Sequence, residues 1–551
     1  MGSFQQQLKE NELNDFDAVV IGAGFSGMYM LHLLREAGFS AKAYEAGGGV
    51  GGVWYFNRYP GLICDSDSVT FNYTFSEELY KGWTWSRRYP NQPEVLRYLN
   101  YVADTLDLRK DIQFNTRITS AHFDEQSKRW KITTDDGSSV TAKYFITGLG
   151  TLSASNVPKI KGLESFEGEW HHTGRWPDEQ VDFKGKKVGV IGTGSSGIQV
   201  IPKIANEADH LTVFQRTAQY SIPARNKPLD QEYERQIKAD LKKYIHQMRY
   251  ESPTGNLWEY NDRSALADTP DERQQVYERL WEKGGPEFAW GSYNDLNTNP
   301  EANETASEFV RNKIRETVKD AEIAEKLIPD YPLGGKRVVL DTGYFETYNR
   351  ENVKLVDVKQ DPIIEITPKG IKTEEAEHEL DMIVFATGYD ALTGPLLKMD
   401  IRGKDAITLK EKWQGGANLK TYLGLANSGF PNMFTITGPQ GPGIHGNVPV
   451  IIEQNVEWIS QCIQYLRDNG VETIEATIEA EEGWTEHTNE IASKIFYSNY
   501  DSWYTGANIE GKPRTVLSYR GGLQLYREKC DQVAENGYKG FTLKASVSTL
   551  K

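Results

Sequence analysis

The feature that most restricts what this chain can become is a glycine turn that occurs twice. In FDAVVIGAGFSGMYMLHLLREAGFSAKAYEA a β-rich run meets Gly22-x-Gly24-x-x-Gly27, then an apolar-periodic helix and a second short strand. The segment KKVGVIGTGSSGIQVIPKIANEADHLTVFQR repeats the plan around Gly192-x-Gly194-x-x-Gly197, 170 residues later by Gly22 and Gly192. Each is a βαβ unit whose glycines permit a tight turn and a close approach of backbone to a pyrophosphate at the positive end of the helix. Two such units predict an α/β fold of two Rossmann-like dinucleotide-binding domains, with two dinucleotides held side by side.

The units differ at the position that reports ribose chemistry. Glu45 ends the second strand 23 residues after Gly22, where a carboxylate accepts hydrogen bonds from ribose hydroxyls and repels a 2'-phosphate. In the second unit the strand ends on Arg216 and Thr217, 24 residues after Gly192, and a guanidinium is what a 2'-phosphate needs. FAD in the first unit and NADP in the second is the economical assignment, with Ser195 at the second helix start joining the phosphate-binding set.

At 551 residues the chain exceeds the size of a single core, so two or three domains are expected. Residues 228–330 change character: QEYERQIKADLKKYIHQMRY and ASEFVRNKIRETVKDAEIAEKL carry charges around spaced apolar positions and read as a solvated helical insertion. Strand-like text resumes at Lys336 to Leu340 and at MIVFATG. The net charge of -16 argues against nonspecific affinity for nucleic acid or anionic membrane. The three cysteines, Cys64, Cys462 and Cys530, form no metal or redox motif, so no metal and a reducing, cytoplasmic setting are expected. No apolar run reaches the roughly 18 residues of a membrane span, and the polar, acidic opening MGSFQQQLKENELND resembles no targeting peptide.

Two further stretches carry a family resemblance. GGVWYFNRYPGLICD (Gly51 to Asp65) and FEGEWHHTGRWP (Phe166 to Pro177) resemble the two signature motifs of Baeyer-Villiger monooxygenases, in the cyclohexanone, steroid and phenylacetone branch. The likeness extends through ATGYDALTG, GFPNMFTITGPQGP and SWYTGANIEGKPR, nearly the whole chain. It implies oxygenation of ketones to esters or lactones with NADPH and dioxygen, through a C4a-peroxyflavin. It implies a discontinuous FAD domain, residues 1–150 and 391–551, the second part bearing the substrate loop. The NADP domain, residues 151–227 and 331–390, would flank the insertion at 228–330.

Carried over residue by residue, the resemblance places Lys336 with Arg216 on the 2'-phosphate and Arg337 over the flavin, where a fixed cation stabilises the anion formed during oxygen transfer. Asp65 would hold that guanidinium. Trp54 and Trp503 would pack on the cofactors, and Gln440, Ile444 and His445 would belong to the substrate loop. His172 would orient the domains rather than move a proton, and Cys64 would be a small buried residue. Ile63, Ile444, His445, Ser518 and Arg520 depart from relatives, which bears on substrate range.

The expected partners are a small-molecule ketone and dioxygen, in a monomer or weak homo-oligomer. The rival readings are a flavin monooxygenase acting on amine nitrogen or sulfur, and a non-catalytic sensor that binds NADPH and FAD. The Lys336-Arg337 pair, and the combination of Asp65 with Arg337, disfavour them.

Overall fold

The computed structural model describes residues 15–443, 446–498 and 500–545. The first glycine turn joins strand β1 (Asp15–Ile21) to helix α1 (Phe25–Glu36), which leads into strand β2 (Ala41–Tyr44). β1 is parallel to β2 on one side and to Ser139–Thr147 on the other, and β2 continues to Ile112–Gln113. Valines and isoleucine fill β1, buried at Val19, Val20 and Ile21, as befits a strand covered on both faces. An antiparallel meander, Ile118–Asp124, Arg129–Thr134 and Ser139–Thr147, extends this sheet to eight strands. Asp400–Arg402 and Met433–Thr435 join it from far along the chain.

The second unit repeats the plan with β3 (Lys187–Ile191), α2 (Ser195–Glu207) and β4 (His210–Gln215). Its sheet is parallel throughout, in the order Val353–Asp357, β4, β3, Met382–Phe385, Glu169–His172. The strand expected from Lys336 is shorter and later, Val339–Asp341, paired in parallel with Ser221–Pro223. Lys336 and Arg337 therefore precede that strand, in irregular backbone.

The helices of the insertion are amphipathic, with charged residues exposed and apolar faces buried against the domains beside them. Tyr277, Leu280, Trp281, Phe309, Val310 and Ile314 share one core with β3 and α2. Its first helices lean the other way. Ile237 and Leu241 pack on Val69 and Tyr80, and Met248 on Val450 and Ile451 of helix α3 (Val448–Asp468). Arg249 clamps this contact with ion pairs to Glu453 at 2.7 Å and Glu457 at 2.8 Å. Glu453 is fully buried, so losing the arginine would strand a charge. The spaced apolar positions face two neighbours, and only the tertiary arrangement distinguishes such faces from a free surface.

Candidate functional site

Both glycine turns have the geometry of anion sites. Gly22 and Gly192 sit at φ +98° and +105°, and each donates its N–H to a carbonyl of its second strand, Tyr44 at 2.8 Å and Phe214 at 3.0 Å. The last glycine of each turn lets helix meet strand. A Cβ on Gly27 would lie 1.8 Å from the Gly22 carbonyl oxygen, and one on Gly197 would lie 2.3 Å from that of Gly192. Gly24 and Gly194 begin α1 and α2 without a side-chain cap and without an acid in the first turn. The first-turn N–H groups of each helix thus face outward, as a pyrophosphate requires.

The turns open into one cavity of about 2870 Å³, well above the roughly 300–1,000 Å³ of an ordinary small-ligand pocket. That volume and two uncapped helix starts fit two dinucleotides. Gly22, Gly24, Glu45, Trp54, Asp65, Gly192, Gly194, Ser195, Arg216, Thr217, Lys336, Arg337 and Trp503 all line it. Gly27 and Gly197 do not, and act through the helix approach.

Glu45 is 4% exposed and accepts hydrogen bonds from the N–H groups of Ala23 at 2.8 Å and Gly47 at 2.7 Å. Burial raises its pKa above the usual carboxylate range, and those N–H groups oppose the rise. The side chain therefore braces the glycine turn as well as facing the cavity. Across the cavity Lys336 lies over Tyr331 at 5.0 Å, its pKa lowered by burial and by the neighbouring Arg216 charge. A second lysine, Lys359, lines the cavity and is ion-paired to Asp330 at 3.3 Å. It stands in no motif, so sequence reasoning missed it.

Asp65 and Arg337, 272 residues apart, meet in this cavity. The guanidinium donates to Asp65 Oδ2 from Nε at 2.8 Å and approaches it from Nη2 at 2.6 Å. Their side chains are 33% and 31% exposed, and both line the cavity. The Asp65 carboxylate raises the arginine pKa further, so the cation is permanent. Gln219 holds the Arg337 backbone by donating to its carbonyl, and Tyr331 donates to Gln219 at 2.7 Å.

The two signature stretches have structural work that the sequence did not disclose. Tyr59 donates to Gln199 of α2 at 2.8 Å, and Gln199 donates to the Ile63 carbonyl at 3.1 Å. Gly61 admits this contact, since a Cβ there would lie 2.4 Å from the Gln199 carbonyl oxygen. The first stretch therefore fastens Asp65 to the second unit. In the other stretch His172 is 2% exposed on an edge strand of the second sheet, accepting from Gly174 N–H at 2.9 Å through Nδ1. Burial lowers its pKa to about 4, so it is neutral in the working range. Cys64 lies at the cavity wall, 2% exposed, its thiol pKa pushed up by burial.

Gln440, expected in the substrate loop, turns its side chain into the protein: it is 1% exposed, with Oε1 accepting from Thr421 N–H at 2.9 Å and Nε2 donating to the Leu419 carbonyl at 3.2 Å. Its backbone is left-handed, φ +62°, and these bonds anchor the start of the loop. Ile444 and His445 lie outside the described residues, while Gly443 and Gly446 on either side line the cavity.

Comparison with known proteins bears directly on this site. Residues 17–248 match the flavin-binding monooxygenase-like family. A Baeyer-Villiger monooxygenase of Pseudooceanicola batsensis is 45% identical, covering 95% of each chain. The chain belongs to the Baeyer-Villiger monooxygenase family. A solved steroid monooxygenase bound to NADP is 46% identical with TM-score 0.91, covering 97% of this chain and all of that one. The monooxygenase fold is thus two dinucleotide-binding units, and the cofactors are FAD and NADP.

This monooxygenase uses NADPH and a flavin for Baeyer-Villiger oxygenation of a ketone. A phenazine N-monooxygenase of Lysobacter antibioticus is 43% identical over 98% of this chain and 99% of its own length, so overall identity alone does not choose the acceptor atom. Cys64, Cys462 and Cys530 are all buried and unpaired, so they form no redox dithiol. No described helix is long and apolar enough to cross a membrane, and no metal-binding cluster occurs among the described residues.

Proposed function

We propose that Arg337, oriented by Asp65, is the cation of the oxygen-transfer step, and that this pair directs the chemistry to a ketone carbonyl. The observation that carries the reading is the Asp65-Arg337 contact at 2.6 Å inside the cavity shared by both glycine turns. Bound flavin, once reduced by NADPH, supplies the electrons that activate dioxygen. Attack on a carbonyl carbon places negative charge on oxygen, and a fixed guanidinium in a secluded site stabilises that charge without reorganising solvent. Asp65 Oδ2 takes both guanidinium contacts, which fixes the position of the cation.

In this assignment Gly22, Gly24, Glu45 and Trp54 hold FAD, while Gly192, Gly194, Ser195, Arg216, Thr217 and Lys336 hold NADP. Trp503 packs near the nicotinamide end. The FAD domain comprises 1–150 and 391–551, the NADP domain 151–227 and 331–390, with the insertion at 228–330 between them. Entry of strands Asp400–Arg402 and Met433–Thr435 into the first sheet supports that division. A monomer or weak homo-oligomer in the cytoplasm, without a nucleic-acid or membrane partner, completes the reading. The test is ketone-dependent NADPH consumption with the product identified by mass spectrometry. Cyclic and arylalkyl ketones should give esters or lactones, and a panel in which only amines or sulfides are oxidised would reject the ketone assignment.

A further inference from the structure

Two remote stretches of chain form neighbouring parts of the cavity wall. The segment that begins at Asp65 lines it with Ser66 and Phe71, and the substrate loop with the start of α3 lines it with Gly443, Gly446, Val448 and Ile452. Between them stands a side chain that faces no ligand space. Asn447 is 0% exposed and lies behind the lining, although both its chain neighbours, Gly446 and Val448, belong to it. Its Nδ2 donates to the Thr70 carbonyl, one residue before Phe71, at 2.5 Å and to the Gly255 carbonyl at 3.1 Å. Its backbone N–H donates to the Thr254 carbonyl at 2.7 Å. A primary amide has two N–H donors, and both are used here.

Thr254 and Gly255 belong to the insertion. Among the described residues none from 228 to 329 lines the cavity, yet the insertion holds both walls from behind. Trp258 donates through Nε1 to Asp67 Oδ2 at 3.0 Å, two residues from Asp65, and Asn256 Oδ1 accepts from the Thr70 hydroxyl at 3.2 Å. A Cβ on Gly446 would lie 2.7 Å from the Thr254 carbonyl oxygen, so loop and insertion meet backbone to backbone. Thr70 and Asn256 are 1% and 3% exposed, and water cannot readily stand in for bonds made there.

We propose that Asn447 is a positioning residue for the ketone: it sets the gap between the loop wall and the wall at 65–71, and so decides which ketones present their carbonyl to Arg337. This rests on the ketone reading above. Without the two donors, the Thr70 and Gly255 carbonyls lose a buried partner, and the fold relieves that cost by letting the segments move. A displacement of about 1 Å at the reacting atoms costs on the order of a hundredfold in rate. That cost differs from one ketone to the next, because each fills the gap differently.

The test compares kcat/KM for cyclohexanone, 2-octanone and 4-phenyl-2-butanone in wild-type holoenzyme and in Asn447→Leu, a side chain of similar size without donors. The ratio between at least two of these ketones should change by about tenfold or more. Ester formed per NADPH should fall, with hydrogen peroxide making up the difference, while flavin reduction by NADPH keeps its rate to within about twofold. Gly255→Ala disturbs the same contact from the insertion side, since Gly255 has φ +73° and a Cβ there would lie 3.3 Å from the Asn447 Cβ. It should shift the same ratios by about threefold or more, and it decides the matter if Asn447→Leu loses its flavin. Unchanged ratios, a loss equal for all three ketones, or slowed flavin reduction would overturn the proposal. If the wild type forms no ester from any of the three, the ketone reading itself fails, which is a different outcome from ester formation with unchanged ratios.

Discussion

Replacing Arg337 with Ala separates the two halves of the catalytic cycle. Hydride transfer moves charge between stacked rings, whereas oxygen transfer concentrates a negative charge beside the carbonyl. Arg337 reaches into the cavity and keeps its charge at every accessible pH, because Asp65 raises its pKa. At about 4 Å and an effective dielectric near 20, a unit cation contributes about 4 kcal/mol, or about a thousandfold in rate. Removing Asp65 instead leaves the charge but loosens contacts at 2.8 and 2.6 Å, a loss of about 1.5–3 kcal/mol and so about ten- to a hundredfold.

The double variant Asp65→Ala with Arg337→Ala should be no slower than Arg337→Ala alone, since the acid then has nothing to orient. Stopped-flow absorbance should show NADPH bleaching the flavin in Arg337→Ala at a measurable rate, followed by reoxidation with hydrogen peroxide and no ester. Ester formation within tenfold of wild type would refute the assignment of the cation. Strict additivity of the two single losses would refute the claim that Asp65 acts through Arg337.

Arg216→Ala should weaken NADPH binding about ten- to a hundredfold, the loss of one charge-assisted contact, with NADH binding nearly unchanged; titration with both nucleotides checks this. Lys336, with its pKa below the ordinary lysine range, should make the NADPH KM climb as pH rises, earlier than a solvent-exposed lysine would, and Lys336→Met should flatten that profile. Gly27→Ala should yield colourless apoprotein, because the added Cβ falls 1.8 Å from the Gly22 carbonyl oxygen and forces α1 off the turn; full flavin content would contradict this. His172, buried with its pKa lowered to about 4, binds a proton in the unfolded chain before it does so in the folded one. Stability is therefore complete above pH 6.5 and falls as pH drops toward 4, by up to about 3 kcal/mol, and urea unfolding of His172→Asn should lack that part of the slope.

Much of the site was written in the order of residues. The glycine turns, Glu45 and Arg216 are local: a turn, a strand end and a charge a fixed number of residues later, all set by the geometry of one βαβ unit. Both units formed as their periodicity requires, with β1 and β3 spanning the apolar runs before the glycine turns. The antiparallel strands from Ile118 to Thr147 and the three-stranded piece from Ile363 to Glu379 pair with their neighbours along the chain, whereas the entry of Asp400–Arg402 and Met433–Thr435 into the first sheet joins remote segments that no local pattern announces. The insertion shows the same limit. Charge around spaced apolar positions specifies an amphipathic helix, but not whether its apolar face meets solvent, α3 or the core beneath α2.

The contacts between units belonged to the tertiary structure alone. Tyr59, Gln199 and Gly61 fasten the first unit to α2 through bonds spanning more than a hundred residues, and no spacing rule anticipates them. Gln440 reads as a loop residue by position, yet Thr421 and Leu419 claim its amide and turn it into the protein. Sequence determined which cofactor each turn suits, because that depends on atoms a few bonds apart. The folded chain decided which charges are matched, as Asp65 and Arg337 are across 272 residues, because matching requires side chains from remote segments to share one volume.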